Sequence, residues 1–293
     1  MAIKVNLERI EELSNLISSI GIKTIYYIED HDNQFEAMKI LYSGTKHAGY
    51  VCLLAVSNAL ISYRLSMKGE DYWLLFAKYF SKTPPSFFKA LDNIINFLNT
   101  YKVNRMLLKQ KINRLQKFYG SRTSRILFEK PWYYADDVTK LWRELARNLN
   151  TSLRRKTIVF SVKMFYYAYY ASTGIRISLP HEIPIPVDFR VALISLTSGL
   201  ISINSRNLKE KVNLLLAKYD ETVRDAWGII SQKTNIPPLN LDALVWVLGK
   251  YVSMKCNKRL VVSKTINYLE EEIFKRSLNK LMNTLVYEFF KYC

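Results

Sequence analysis

An all-α fold is predicted by three observations. Glycine and proline number only 9 and 8 in 293 residues, too few for the many turns of a sheet protein. Apolar residues recur at helical spacing in one segment after another. Hydrophobic residues make up 49% and aromatics 13%, so the chain can bury a sizeable core and is not a disordered polymer. Taken in order, residues 7–20 form a first amphipathic helix, 34–42 a short second one, and 47–67 a long one that is apolar on most sides and therefore buried. Residues 70–80 follow, rich in aromatics. Pro84-Pro85-Ser86 is a start signal, with Ser86 capping a helix to about residue 98. Residues 103–118 are basic and amphipathic. Residues 133–148 lead into a polar turn, 148–155, and residues 156–172 form the next helix, ended by Gly174. After a proline-rich loop come helices at 189–202, 208–217, 221–232 and 242–251, and one long C-terminal helix at 263–292. No repeat or low-complexity linker divides the chain, which reads as a single unit over residues 1–293.

The formal net charge is +18, which favours a polyanionic partner. A membrane is not expected. The best apolar run, 51–61, is too short to span a bilayer and carries Ser57 and Asn58, and no helix combines a basic face with a free apolar one. The start, Ile3-Lys4-Val5-Asn6-Leu7, is no secretory signal, and the odd, sparse set of Cys52, Cys256 and Cys293 points to a reducing compartment, so an intracellular, cytoplasmic location is expected. Those cysteines and His31, His47 and His181 are too dispersed for a zinc or iron–sulfur site, and no metal or other cofactor is implied.

Two residues carry the chemistry. Lys156 opens an apolar helix, and Asp188 closes the rigid stretch Ile183-Pro184-Ile185-Pro186-Val187. An amine and a carboxylate, each held on a firm element, are the minimum for Schiff-base chemistry on a sugar: the neutral amine attacks, and the carboxylate stabilises positive charge and moves protons. Asp188 is also a favoured cap for the helix that begins at Phe189. The two helices around the 148–155 turn form a hairpin that can direct backbone N–H groups, with Arg154 and Arg155, at a DNA phosphate.

The hairpin, the lysine at the next helix start and the aspartate 32 positions on resemble the helix-hairpin-helix superfamily of DNA glycosylases, and within it the archaeal GO glycosylases, which are 8-oxoguanine DNA glycosylase/AP lyases. The resembling segments are Asn33-Gln34-Phe35, Ser57-Asn58-Ala59-Leu60-Ile61-Ser62-Tyr63, Gly69-Glu70-Asp71-Tyr72-Trp73, Lys156-Thr157-Ile158-Val159-Phe160, the proline segment through Asp188 to Val191, and Asp242-Ala243-Leu244-Val245-Trp246. They run from about residue 30 to 250. The hairpin lacks the Gly-x-Gly turn of the wider superfamily, the iron–sulfur cysteines of the endonuclease III branch are missing, and residues 205–219 look like a lengthened segment.

The resemblance implies two helical subdomains flanking a base-binding cleft. It implies a monomeric enzyme that flips 8-oxoguanine out of DNA, cuts its glycosidic bond and nicks the strand by β-elimination, with no metal. Lys156 is the implied nucleophile and Asp188 its charge-stabilising partner. Phe160 lies one turn after Lys156 and Trp246 one turn after Asp242, so these two rings are the implied walls for the flipped base. Asp242 and Gln34 are its hydrogen-bonding partners, Trp73 and Ser62 further pocket residues, and Arg154 and Arg155 contacts to the DNA backbone. Two other readings stay open at this stage: a related glycosylase for another damaged base, and a non-catalytic helical DNA-binding protein.

Overall fold

A computed structural model describes residues 3–205 and 207–293. Their contacts separate into two units, one formed by the residues up to His31 together with His181–Cys293, the other by Asp32–Pro180. The chain enters the first unit with strand β1 (Ile3–Val5) and helix α1 (Leu7–Asp30). Asn6 caps α1 by accepting from Arg9 N at 3.2 Å. The helix runs past the expected end at residue 20, but Gly21 (φ 73°, ψ 161°) interrupts it, a conformation open to glycine and to few other residues.

The second unit holds nine α-helices among its described residues: α2 (Asn33–Thr45), α3 (Ala48–Ile61), α4 (Gly69–Phe80), α5 (Phe87–Thr100), α6 (Leu108–Tyr119), α7 (Arg122–Glu129), α8 (Trp132–Ala135), α9 (Val138–Asn148) and α10 (Lys156–Thr173). Its core is α3 against α10. Every residue of α3 from Gly49 to Ile61 is buried, as is α10 from Thr157 to Tyr169. A helix apolar all round cannot face water, so α2, α6 and α7 cover the remaining sides of α3. At Gly49 the Phe128 carbonyl oxygen lies where a Cβ would stand, 1.8 Å away, so only glycine admits α7 at this distance. Rings from α4 and α5 extend the core, with Phe76, Phe80 and Phe97 in mutual contact.

Several element boundaries depart from the sequence expectation, each for a local reason. The helix expected over 47–67 ends at Ile61, because Arg64 takes φ 50°. Ser86 does cap α5, accepting from Lys89 N at 3.3 Å. The basic helix starts at Leu108 rather than 103, after a single turn of 3-10 helix (Lys102–Asn104) and Leu107 at φ 60°. The expected 133–148 helix is split because Asp137 caps α9: its Oδ1 accepts from Thr139 N at 3.0 Å and Thr139 Oγ1 at 2.6 Å. These bonds, the hydroxyl first, hold the Asp137 carboxyl below the usual carboxylate range. Helix α7 was not anticipated, since eight residues are too short for a periodic signal. Gly174, at φ 72°, ends α10 in the left-handed cap its position implies.

The chain returns to the first unit with α11 (Phe189–Thr197), strand β2 (Ile201–Ile203), α12 (Leu208–Lys218), α13 (Asp220–Thr234), α14 (Pro238–Leu248), α15 (Lys258–Tyr268) and α16 (Lys280–Phe289). The helix expected over 189–202 stops at Thr197. Gly199 turns the chain at φ 77°, and Ile201–Ile203 pairs antiparallel with β1, Ile3 opposite Ile203. Helix α14 starts four residues before the expected 242, with Pro238 in its first turn. The expected single helix over 263–292 is two: a π-helical turn (Leu269–Phe274) and Lys275 at φ 52° separate α15 from α16. Helix α1 packs on α13, α14 and α16. Arg9, 3% exposed, ties three segments together. Its Nε donates to Ser198 O at 3.0 Å, and Nη1 reaches Glu288 Oε2 at 2.7 Å and Glu12 Oε2. Trp227 lies wholly in this core, with Nε1 donating to Ser195 Oγ at 2.9 Å.

Cys256 and Cys293, which the cysteine count left unpaired, are joined by a disulfide with Cα atoms 5.1 Å apart. The fold-back of α16 brings together residues 37 apart in sequence, which no spacing rule reveals. Cross-linking a loop of this length stabilises by about 3–4 kcal/mol in the chain-entropy account. Reduction, or Cys256→Ser, is expected to lower the thermal midpoint by several degrees without changing the far-ultraviolet circular dichroism of the folded state. An unchanged midpoint would show that the link contributes nothing.

Candidate functional site

Within the unit of residues 32–180, the hairpin is closed without glycine. Leu149, Asn150 and Thr151 N–H groups fold back onto the Leu145, Arg147 and Ala146 carbonyls at 3.2, 3.1 and 3.0 Å. Asn150 takes φ 46°, a region that asparagine tolerates better than most residues. Trp142 Nε1 then locks the turn by donating to Leu153 O at 2.8 Å. Arg154 and Arg155 end this turn, Arg154 half-buried and Arg155 exposed. Lys156 is the first residue of α10, so the buried length of that helix fixes where its stem begins. Its Nζ lies 5.6 Å from the Phe160 ring centroid, and it has no carboxylate partner among the described residues.

Phe160, 5% exposed, meets Trp73 edge to face at 5.9 Å. Trp73 is 1% exposed and packs in turn against Tyr72 and Phe76. Trp73, grouped with the pocket in the sequence, is inside the core and touches the Phe160 ring at its edge. Ser62 is also inside, its hydroxyl donating to Asn58 O at 2.7 Å where α3 ends.

The start of α2 forms a second group. Asp32 caps the helix: Oδ1 accepts from Gln34 N at 2.9 Å, while Oδ2 accepts from Tyr167 OH at 3.0 Å and lies 3.9 Å from Lys163 Nζ. Gln34 is 1% exposed, and its Oε1 is buried with no hydrogen-bond partner. An unmet buried acceptor costs about 1–3 kcal/mol, so a ligand N–H aimed at it would bind with advantage. Lys163 escaped the sequence reading. It sits two turns after Lys156 on the same side of α10 and is wholly buried. The signal was present, since a lysine within the apolar run 157–169 must be paired when that run is buried.

In the other unit, Asp188 caps α11, with both bonds on one oxygen: Oδ1 accepts from Arg190 N at 2.9 Å and Val191 N at 3.0 Å. The preceding residues 183–187 are all buried, so the carboxylate is delivered by a fixed segment and is itself half-buried. Trp246 is held by Arg190, whose guanidinium carbon lies 3.9 Å from the indole centroid and whose Nη1 donates to Trp246 O at 2.7 Å. Gly249 leaves room for the Arg190 stem, which comes within 2.7 Å of where a Cβ would be. Asp242, one turn before Trp246 on α14, is wholly buried, whereas Trp246 keeps part of its indole exposed. His181 Nδ1 is engaged with Ser231 Oγ at 2.9 Å. The structure thus groups Lys156, Phe160 and Trp73 in one unit and Arg190, Trp246 and Asp242 in the other. Among the described residues no three His, Cys, Asp or Glu side chains gather as a metal site, and no helix is long and apolar enough to cross a membrane.

One unit thus offers an amine, an aromatic face and a buried acceptor, and the other a capping carboxylate and a second aromatic face. The chain is 32% identical over 246 residues to an N-glycosylase/DNA lyase of Thermococcus kodakarensis, covering 83% of this chain and 86% of that one. It is 35% identical over 236 residues to the enzyme of that name in Methanopyrus kandleri, covering 79% and 86%. The crystal structure of an 8-oxoguanine DNA glycosylase from Pyrobaculum aerophilum, in complex with 8-oxoguanosine, superposes with a TM-score of 0.75 at 25% identity over 97% of both chains. Residues 14–281 match the sequence pattern of one family over nearly the whole chain, and the protein belongs to that family, the AGOG N-glycosylase/DNA lyases.

Proposed function

We propose that this enzyme excises 8-oxoguanine from DNA and then nicks the strand, with Lys156 as nucleophile. The observation that carries this reading is the Lys156 amine: it stands at the first turn of a buried helix, beside an aromatic face, with no carboxylate partner among the described residues. In its neutral form Nζ attacks C1′. The C1′–N9 bond breaks, its electron pair leaves with the base, and the base takes up a proton. Loss of the proton from Nζ and opening of the sugar give an imine between C1′ and Lys156. Removal of a C2′ proton then expels the 3′ phosphate by β-elimination, and water hydrolyses the imine to release the lysine. Asp188 stabilises the cationic sugar and relays these protons. Both of its capping bonds fall on Oδ1, so Oδ2 is the oxygen assigned to that work.

Phe160 and Trp246 supply faces for the extruded base, Trp73 packs against Phe160, and Ser62, at the end of α3, is a further pocket residue. Asp242 accepts from base N–H groups, and Arg154 and Arg155 meet backbone phosphates. Gln34 gives the choice of base. 8-Oxoguanine carries a proton on N7 where guanine has a lone pair, so the buried Gln34 Oε1 gains a bond from the lesion and meets repulsion from guanine.

Borohydride trapping on an oligonucleotide with one 8-oxoguanine is expected to give a covalent adduct with the wild type and none with Lys156→Gln, which still binds DNA; strand cleavage retained by that variant would sink the mechanism. Asp188→Asn keeps a good helix cap, so its thermal midpoint should stay within a degree or two while single-turnover excision drops about 100-fold, the scale of a lost proton-transfer group. A large fall in the midpoint would mark Asp188 as structural. Gln34→Leu is expected to narrow the preference for 8-oxoguanine over guanine about tenfold, the equivalent of one neutral hydrogen bond; an unchanged preference would place recognition elsewhere.

A further inference from the structure

Extruding a base leaves a gap in the stack, and a rigid apolar side chain can fill it. We propose that Leu107, with Met106 beside it, is the side chain of this enzyme that enters the DNA stack when the damaged nucleotide leaves it. The proposal rests on the reading that the substrate base is taken out of a duplex. Leu107 is 46% exposed and Met106 56%, so neither serves the core. Leu107 also holds φ 60° and ψ 35°, a left-handed conformation that a leucine adopts only under constraint. Strain at an exposed apolar residue gains nothing for packing, which points to a use outside the folded chain.

The constraint is visible. Lys111, wholly buried on α6, donates to Tyr63 O at 2.7 Å, to Asn104 O at 3.4 Å and to Asn104 Oδ1. Asn104 Nδ2 donates to Ile61 O at 3.3 Å and to Tyr72 OH at 2.9 Å, and Tyr72 OH donates to Asn58 Oδ1 at 2.6 Å. This network ties Asn104, three residues before Leu107, to α3, α4 and α6. Rigidity matters because a mobile side chain would lose much of the gain in ordering.

The setting suits DNA. Leu107 borders a groove of about 690 Å³ that includes Lys109, Arg114 and Lys117, with Leu149 of the hairpin turn on its far side. Lys109 and Lys117 are exposed and have no carboxylate partner among the described residues, so phosphates are the complementary charge. The groove is also coupled to the reacting end of α10, since Arg114 Nη2 donates to Thr157 Oγ1 at 2.8 Å, next to Lys156. Phe88 and Trp132, two exposed rings of this unit, lie in ordinary helical backbone.

The test compares single-turnover excision from a duplex with excision from the same strand unpaired, and follows 2-aminopurine placed beside the lesion, which brightens when unstacked. Leu107→Ala is expected to lower the duplex-to-single-strand rate ratio at least tenfold and to blunt the fluorescence rise. Leu107→Gly relieves the left-handed strain, so its thermal midpoint should hold or rise while the rate ratio falls in the same way; a purely structural leucine would not separate the two. Leu107→Phe, which keeps an apolar wedge, should stay within about threefold of wild type. A ratio within twofold of wild type for both small variants would overturn the proposal, as would a wild-type enzyme confined to single strands. A wild type that releases no 8-oxoguanine from either substrate would defeat the substrate reading alone, and the same fluorescence comparison on an abasic duplex would then decide for Leu107.

Discussion

The burial of α3 against α10 is the constraint on which the rest of the 32–180 unit depends. Both helices are enclosed over most of their length. Each fully buried Phe, Leu or Ile contributes about 1.5–3 kcal/mol, against about 1 kcal/mol for a helix cap, so side-chain burial and not capping decides where α10 lies. The position of Lys156 follows. It is the residue at which that buried helix begins, and its stem cannot shift unless α10 moves along α3. The same enclosure explains why Lys163 has to meet Asp32 and Tyr167, and why Gly49 is the residue where α7 crosses.

Helix caps in this protein carry a second duty. Asp32 orders the first turn of α2 and also meets Tyr167, which leaves the neighbouring Gln34 as a buried acceptor of fixed direction. Asp188 satisfies two N–H groups of α11 with one oxygen, which leaves the other for the role proposed above. A carboxylate is also the group a helix start prefers. At Asp188, folding and the proposed chemistry select the same residue. Leu107 is the opposite case: folding alone would favour glycine or asparagine there.

The unit built from the two chain ends solves a different problem. Segments far apart in sequence must be held as one core. The Arg9 guanidinium joins the start of α1 to Ser198 and Glu288, the short β1–β2 ladder adds backbone pairing, and the Cys256–Cys293 link closes the far end. Within that frame Arg190 fixes Trp246 by a stacking contact and a hydrogen bond to its carbonyl, so the indole is held in one orientation.

Read by itself, the sequence determined the helical class, the extent of α2, α4, α5 and α10, the Ser86 and Asp188 caps and the Gly174 stop. All of these depend on neighbours within a few residues, where periodicity and cap chemistry act. It also singled out Lys156, Phe160, Asp242 and Trp246 through their one-turn spacings and the family resemblance. What it could not supply were features set by residues distant in the chain: the breaks at Arg64 and Lys275, the turn of Ile201–Ile203 into a strand against Ile3–Val5, the disulfide, and the edge contact of Trp73 with Phe160. The buried network of Lys111, Asn104 and Tyr72 belongs with these, because a lysine in a basic amphipathic helix looks like any solvated one until the fold closes around it. Hydrogen-bond satisfaction of buried groups is a property of the packed chain, and only the tertiary structure decides it.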